Sequence, residues 1–228
     1  MPDRIVERLP ASTLEDLAFV VLTARRDEDL DLYPELSDET RSRLRSRLKQ
    51  ISRYDWPTSL KNDPALKRGY TLRQCCRLAV ALLLLDAHLP PSLAIAIARD
   101  NDEGLLRVIA HRLEVDPQKK SESDLIAVLR PAEIIESLGL PDWSPTAAEQ
   151  ISFVCRSQLN QLWSDATAGP GSRLVIDVAT AANAMWCWIS GRRLMTDIAR
   201  LELLGEIEAR AEEPAYNCSA SRPKKRET

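Results

Sequence analysis

The sequence is short of the residues and patterns that several classes of protein depend on. Seven glycines in 228 residues leave no GxGxxG, P-loop or GxSxG pattern, and HExxH is also missing, so the common nucleotide-binding, hydrolase and metalloprotease signatures are absent. Only two histidines, His88 and His111, are present. Both fall in helical contexts with no nucleophile motif beside them. The five cysteines (Cys75, Cys76, Cys155, Cys187, Cys218) are odd in number, with no CxxC pair, so no zinc spacing assembles from sequence neighbours. The longest apolar run, LAVALLLL at 78–85, is far below the roughly 20 residues of a membrane span. It reads instead as part of a buried helix. MPDRIVERLP carries charges where a signal peptide needs an apolar stretch. These absences predict a non-enzymatic cytoplasmic protein with no cofactor, no metal and no membrane partner. Its thiols are expected to be reduced and mostly buried.

What is present is ordinary in amount and uneven in distribution. Hydrophobic residues make up 44% and charged residues 29%, a composition able to bury a core. The formal net charge is −3, yet residues 41–56, RSRLRSRLKQISRYDW, hold six cations against one acid. From Arg41 to Arg73 ten Lys or Arg meet two acids, so that segment is +8 and the remainder −11. A basic patch on an acidic body can bind a polyanion locally while the body stays soluble.

Scarce glycine and few alternating segments predict a mainly α protein. Ser12-Thr13 with Glu15 and Asp16 marks a first helix whose apolar face is Leu14, Leu17, Ala18, Val21 and Leu22. Ser37 begins a second, with Asp38 and Glu39 in its first turn and a stripe of Leu44, Leu48 and Ile51. With that stripe inward, most of the neighbouring arginines project outward, and few acids within three or four residues relieve their repulsion. Two readings follow: a solvated face with salt bridges from elsewhere, or a helix facing phosphates. PTSLKNDPALKR is an exposed turn or hairpin. A third helix spans about Thr71–Ala87, Pro90-Pro91 ends it, and Ser92–Arg99 opens a fourth. Asn101-Asp102-Glu103-Gly104 either interrupts that helix or lies on its exposed side, before Leu105–Leu113.

The run GYTLRQCCRLAVALLLLDAHLPPSLAIAIA, residues 69–98, is similar to the post-wing region of MerR-like winged helix-turn-helix regulators. Tyr70-Thr71 stands for that family's aromatic and hydroxyl pair. Cys75, Leu78, Ala81 and Leu84 form the buried face, Ala87-His88-Leu89 the turn, and Pro91-Ser92-Leu93 with Ile95 the second helix. Thr13-Leu14-Glu15-Asp16-Leu17-Ala18 resembles the family's opening helix, and Ser52-Arg53-Tyr54 its Arg-aromatic recognition signature. The likeness covers about residues 12–110. The segment between the first helix and the basic helix is longer and more acidic than the family's tight turn, and no long coiled-coil helix follows.

The resemblance implies an N-terminal winged helix-turn-helix-like domain over 1–118, followed by a helical dimerisation or effector domain over 119–211 and a disordered polar tail over 212–228. It implies a sequence-specific transcriptional regulator binding double-stranded DNA as a homodimer. The basic helix 37–54 would lie in the major groove and a wing, 57–70, on the backbone. Arg41, Arg43, Arg45 and Arg47 are then candidate base or phosphate readers, with Lys49 on the same helix. Arg53, Tyr54 and Trp56 flank the backbone, and Lys61, Lys67, Arg68 and Arg73 belong to the wing. The alternative is a non-enzymatic adaptor or RNA-binding accessory protein using the same helix. No residue pattern supports a small-molecule effector.

The second half is expected to be helical too: 124–140 as two helices broken at Pro131, then a helix from Ser144 through Trp163 with Ile151, Val154, Cys155 and Leu159 inward. ATAGPGSR reads as a loop, and LVIDVATAANAMWCWISGRRLM as a short strand leading into a helix. Trp186 and Trp188 cannot share one side of that helix. Either one sits at an interface or in a ligand pocket, or both pack in the core. The helix around Met185–Leu204 is the expected centre of the homodimer.

Overall fold

In the computed structural model, which describes residues 7–23, 36–57, 69–114, 125–129, 151–159 and 174–209, the chain begins with a short 3-10 turn, Ala11–Thr13, leading into α1 (Leu14–Thr23). Glu15 and Asp16 occupy the first turn of α1, where the helix dipole favours them. Leu14, Leu17, Ala18, Val20 and Val21 are its buried side. In α2 (Asp38–Ser52) the Ser37 hydroxyl accepts from the Thr40 backbone N–H, and Leu44 and Ile51 are buried with Leu48 packed beside them. The stripe is the one expected from the sequence, and the helix begins just after Ser37, which caps it.

α3 (Leu72–Asp86) is apolar almost all round, and a helix of that kind needs neighbours on every side. α1, α2, α4, α5 and two C-terminal helices supply them. A capping box fixes its start: Gln74 N–H donates to Thr71 Oγ1 at 3.3 Å, and Thr71 N–H to Gln74 Oε1 at 2.9 Å. His88, with φ +64°, takes the left-handed conformation that closes it. Pro90 caps α4 (Pro91–Asp100), and Asn101 ends it. Asp102 then starts α5 (Asp102–Glu114), so the Asn-Asp-Glu-Gly stretch interrupts the helix. Burial pushes the Cys75 thiol well up and that of Cys76 to about 12.

The C-terminal half departs from expectation. Leu125–Leu129 is a strand, β1, not a helix, and Ile151–Cys155 is β2 rather than part of a helix reaching Trp163. With β3 (Leu174–Ile176) they form an antiparallel sheet of order β2-β1-β3. Leu125 faces Cys155 and Leu129 faces Ile151 in the register of β1 and β2. Ile126, Ala127, Val128 and Leu129 are all buried. A central strand covered on both faces loses alternation and reads as a plain apolar run, which a helix can equally produce. Cys155, at the end of β2, is disulfide-bonded, which corrects the expectation of reduced thiols throughout. The rest of 130–150 and of 160–173, with the Pro131 break and the GPG loop, lies outside the described residues, as does the tail.

β3 runs into α6 (Val178–Gly191), the strand-then-helix order read from LVIDVATAANAMWCWISG. Asp177 caps it by accepting from Thr180 N–H at 2.9 Å. α6 packs on α1, α3, α5 and β1 at once. That enclosure buries Trp186 and Trp188 together, at 6% and 4% exposure, although they point to different sides. Both tryptophans therefore belong to the core, and the α6 part of the Met185–Leu204 segment is inside the monomer. Residues on the two sides of the boundary expected at 118/119 share one hydrophobic cluster, from Leu9 to Ile207.

α7 (Asp197–Glu208) lies on α5 and α3. Arg200 Nη1 donates to the Leu113 carbonyl at 2.8 Å, and Glu7 accepts from Thr196 N–H at 2.6 Å and Thr196 Oγ1 at 2.7 Å. One further tie closes the N-terminal segment. Leu9 N–H donates to Tyr70 O at 2.7 Å, and Tyr70 N–H to Leu9 O at 2.8 Å. This bridge passes so close to Gly69 (φ +113°) that a Cβ there would stand 2.3 Å from the Leu9 carbonyl oxygen. Only glycine fits.

Candidate nucleic-acid interface

The outward face of α2 is the one place where the sequence concentrates positive charge on a described element. Its geometry follows from helical spacing. With Leu44 and Ile51 inward, Arg41 and Arg47 fall at the margins of the buried face, half-buried, while Ser42, Ser46, Lys49 and Arg53 run down the opposite side. Arg43 and Arg45 lie between.

The arginines nearest the margins are consumed by carboxylates from other helices. Arg41 Nη1 lies 3.1 Å from Asp16 Oδ1 and 3.7 Å from Glu15 Oε2, both on α1. Arg45 Nε donates to Glu15 Oε1 at 2.7 Å, a bond that raises the guanidinium's already high pKa. Arg47 Nη1 reaches Asp86 Oδ1, at the end of α3, at 3.1 Å. Arg43 pairs with Glu39 one turn back. Salt bridges supplied from other helices thus account for Arg41, Arg45 and Arg47 among the expected base or phosphate readers, and a pair within α2 accounts for Arg43. The acids were invisible to a search within one helical turn because Glu15 is 30 residues and Asp86 39 residues from their partners. The signal available in the sequence was the acidic first turn of α1.

Lys49 and Arg53 differ. Both are exposed, and no carboxylate among the described residues pairs with either. Tyr54, 40% exposed, stands next to them, its carbonyl accepting from Arg99 Nη2 of α4 at 2.9 Å. Trp56, by contrast, is buried and cannot flank a DNA backbone. Its Nε1 donates to Arg77 O at 3.1 Å, and the Arg77 guanidinium lies 5.3 Å from its ring centroid. Lys61, Lys67 and Arg68 fall outside the described residues.

Arg73 is also not a wing residue in this fold. At 16% side-chain exposure it sits on the first turn of α3, 3.6 Å from Asp102 Oδ2 and 3.1 Å from Glu206 Oε2 of α7. Arg77 binds the same Asp102 with two nitrogens, Nε at 2.7 Å from Oδ1 and Nη2 on Oδ2, and its Nη1 donates to Pro57 O at 3.3 Å. Asp102 therefore joins α3 to α5 while Arg73 extends the link to α7, and Arg77 holds the end of the α2 connection. This cluster is structural, and sequence reading missed it. Asp102→Ala leaves two largely buried guanidiniums short of their carboxylate, at a cost of about 3 kcal/mol. A fall in Tm of roughly 6–12 °C is expected for a chain of this size, read by circular dichroism. A change below 2 °C would contradict the assignment.

No protein-family model, curated protein or solved structure matches this chain. Among the described residues no helix is long and apolar enough to cross a membrane.

Proposed function

We propose that the protein is a sequence-specific, double-stranded DNA-binding transcriptional regulator that contacts DNA through the second half of α2 and the basic segment after it. The observation that carries this reading is the exposed Lys49–Arg53 pair, one helical turn apart and without carboxylate partners among the described residues. An arginine there can donate two hydrogen bonds to a guanine edge or a phosphate, and the lysine adds a point charge. Arg53 also belongs to the stretch, Ser52-Arg53-Tyr54, that resembles the MerR-like recognition signature.

Two further features support the reading. The Leu9–Tyr70 bridge holds the chain at the approach to α1 directly after the basic positions Lys61, Lys67 and Arg68 in the sequence. Arg43 and Arg45, at 77% and 57% side-chain exposure, are held by solvent-screened pairs that contribute little. They can exchange carboxylate for phosphate on contact. Arg41 and Arg47 instead orient α2 on α1 and α3.

A gel shift against the DNA upstream of the protein's own gene, run as a salt series, tests this directly. Specific binding is expected, with log K falling linearly against log salt. Replacing Lys61, Lys67 and Arg68 by Ala should weaken binding to all sequences alike, flattening the slope by about 0.9 per lost contact. Loss of site discrimination at unchanged slope would contradict the wing assignment. No binding at low salt would remove the function.

A further inference from the structure

α7 leaves an apolar stripe uncovered. Ile198 and Leu201 are 56% and 57% exposed, the most exposed large hydrophobic side chains among the described residues. Gly205 and Glu208 continue the same line at spacings of four and three, so all four residues share one side of the helix. Nothing lies within 4 Å of where a Gly205 Cβ would be. The opposite side, Ala199, Leu203, Leu204 and Ile207, is the one buried on the core. Ile198 and Leu201 are therefore not needed to hold α7 in place.

The ends of the stripe carry opposite charge. Arg192 and Arg193, just before α7, are exposed, and among the described residues neither has a carboxylate partner, Arg192 instead lying 5.9 Å from the Trp188 ring centroid. Glu208, at the far end, is also exposed with no cation paired to it among the described residues. We propose that this face binds a second copy of the chain, with two α7 helices antiparallel about a two-fold axis beside Leu201.

Self-complementarity selects this occupant. In an isologous contact each residue meets the partner's equivalent reflected through the axis. An axis passing between Leu201 and Glu202 brings the two Leu201 side chains together and sets Ile198 level with the partner's Gly205, a large side chain over the one position of the stripe with none. The same operation brings the end of the stripe that carries Arg193 to the end at which the partner's Glu208 lies, and the reverse at the other end. A parallel pairing would set like charges together at both ends. The stripe is short, since Ile198 to Glu208 covers about 15 Å at 1.5 Å per residue. The dimer is accordingly a weak one, forming in the micromolar range or above, at the low end of specific interfaces. This assembly does not depend on DNA binding, and its test contains no DNA.

Sedimentation of the full chain from about 1 to 200 µM, concentrations chosen to bracket a micromolar Kd, should show the mass rising from 25.6 kDa towards twice that value. Leu201→Glu should abolish the rise. Because Leu201 lies off the core, its circular dichroism and Tm should match those of the parent chain. Arg193→Glu and Glu208→Arg should each weaken association at least several-fold, and the double variant R193E/E208R should recover it. That recovery identifies the antiparallel pairing. A chain that stays monomeric throughout, a dimer indifferent to Leu201→Glu, or a double variant as weak as the singles would each overturn the proposal.

Discussion

A chain ending at residue 118 is expected to fail to fold, not to behave as a free DNA-binding domain. The cut removes α6, which packs on α1, α3 and α5 together. α6 alone buries Val178, Met185, Trp186, Trp188 and Ile189. Five large side chains at roughly 1.5–3 kcal/mol each contribute on the order of 10 kcal/mol, comparable with the entire stability of about 5–15 kcal/mol of an ordinary domain. The cut also uncovers the apolar surfaces of the helices that remain. The expected result is loss of the cooperative thermal transition and strong binding of a hydrophobic dye. A soluble 1–118 chain melting within a few degrees of the full protein would show that the shared core is dispensable.

The contrast between the two halves explains how much of this fold was legible. In α2 and α3 the caps Ser37 and Thr71 and the spacing of Leu44, Leu48 and Ile51 are local signals, and the structure uses them as written. β1 has no local signal of its own. LIAVL becomes a strand because β2 and β3 pair with it while α5 and α6 pack against it, and those partners lie many residues away. For Trp186 and Trp188 two readings are open in the sequence, and the core one holds because of distant neighbours in the same way. An amphipathic reading assumes that one side of a helix meets solvent, and α6 has neighbours on several sides.

The candidate site was legible as composition and not as pairing. Charge counting finds the basic run, but it cannot tell that Glu15, Asp16 and Asp86 fold over onto Arg41, Arg45 and Arg47. Nor can it separate Arg73, bound within the α3–α5–α7 cluster, from a cation that faces solvent. Long-range ion pairs are set by the packing of α1 and α3 against α2. Once that packing is known, the six cations of the basic helix divide into those that orient it and those left for a ligand.

That division makes the DNA reading sharply testable. Lys49→Gln with Arg53→Gln removes two cations that face solvent, and DNA affinity should fall about 100-fold or more. Each lost contact of this kind is worth roughly 1–3 kcal/mol, and 1.4 kcal/mol is a factor of ten. Both cations sit near the C-terminus of α2, where each also favours the helix dipole by about 0.3–1 kcal/mol. Tm should therefore drop by only a few degrees. Arg47→Ala is the opposing control. It breaks the tie to Asp86 of α3, so it should lower Tm to a similar extent while changing affinity less than about three-fold, an energy under 1 kcal/mol. Fluorescence anisotropy on one labelled duplex, with melting curves for each variant, separates the two effects. If Arg47→Ala loses as much affinity as the double glutamine variant, the buried-margin arginines read DNA and the pairing seen here is exchanged on contact. If neither variant changes binding, α2 is not the interface.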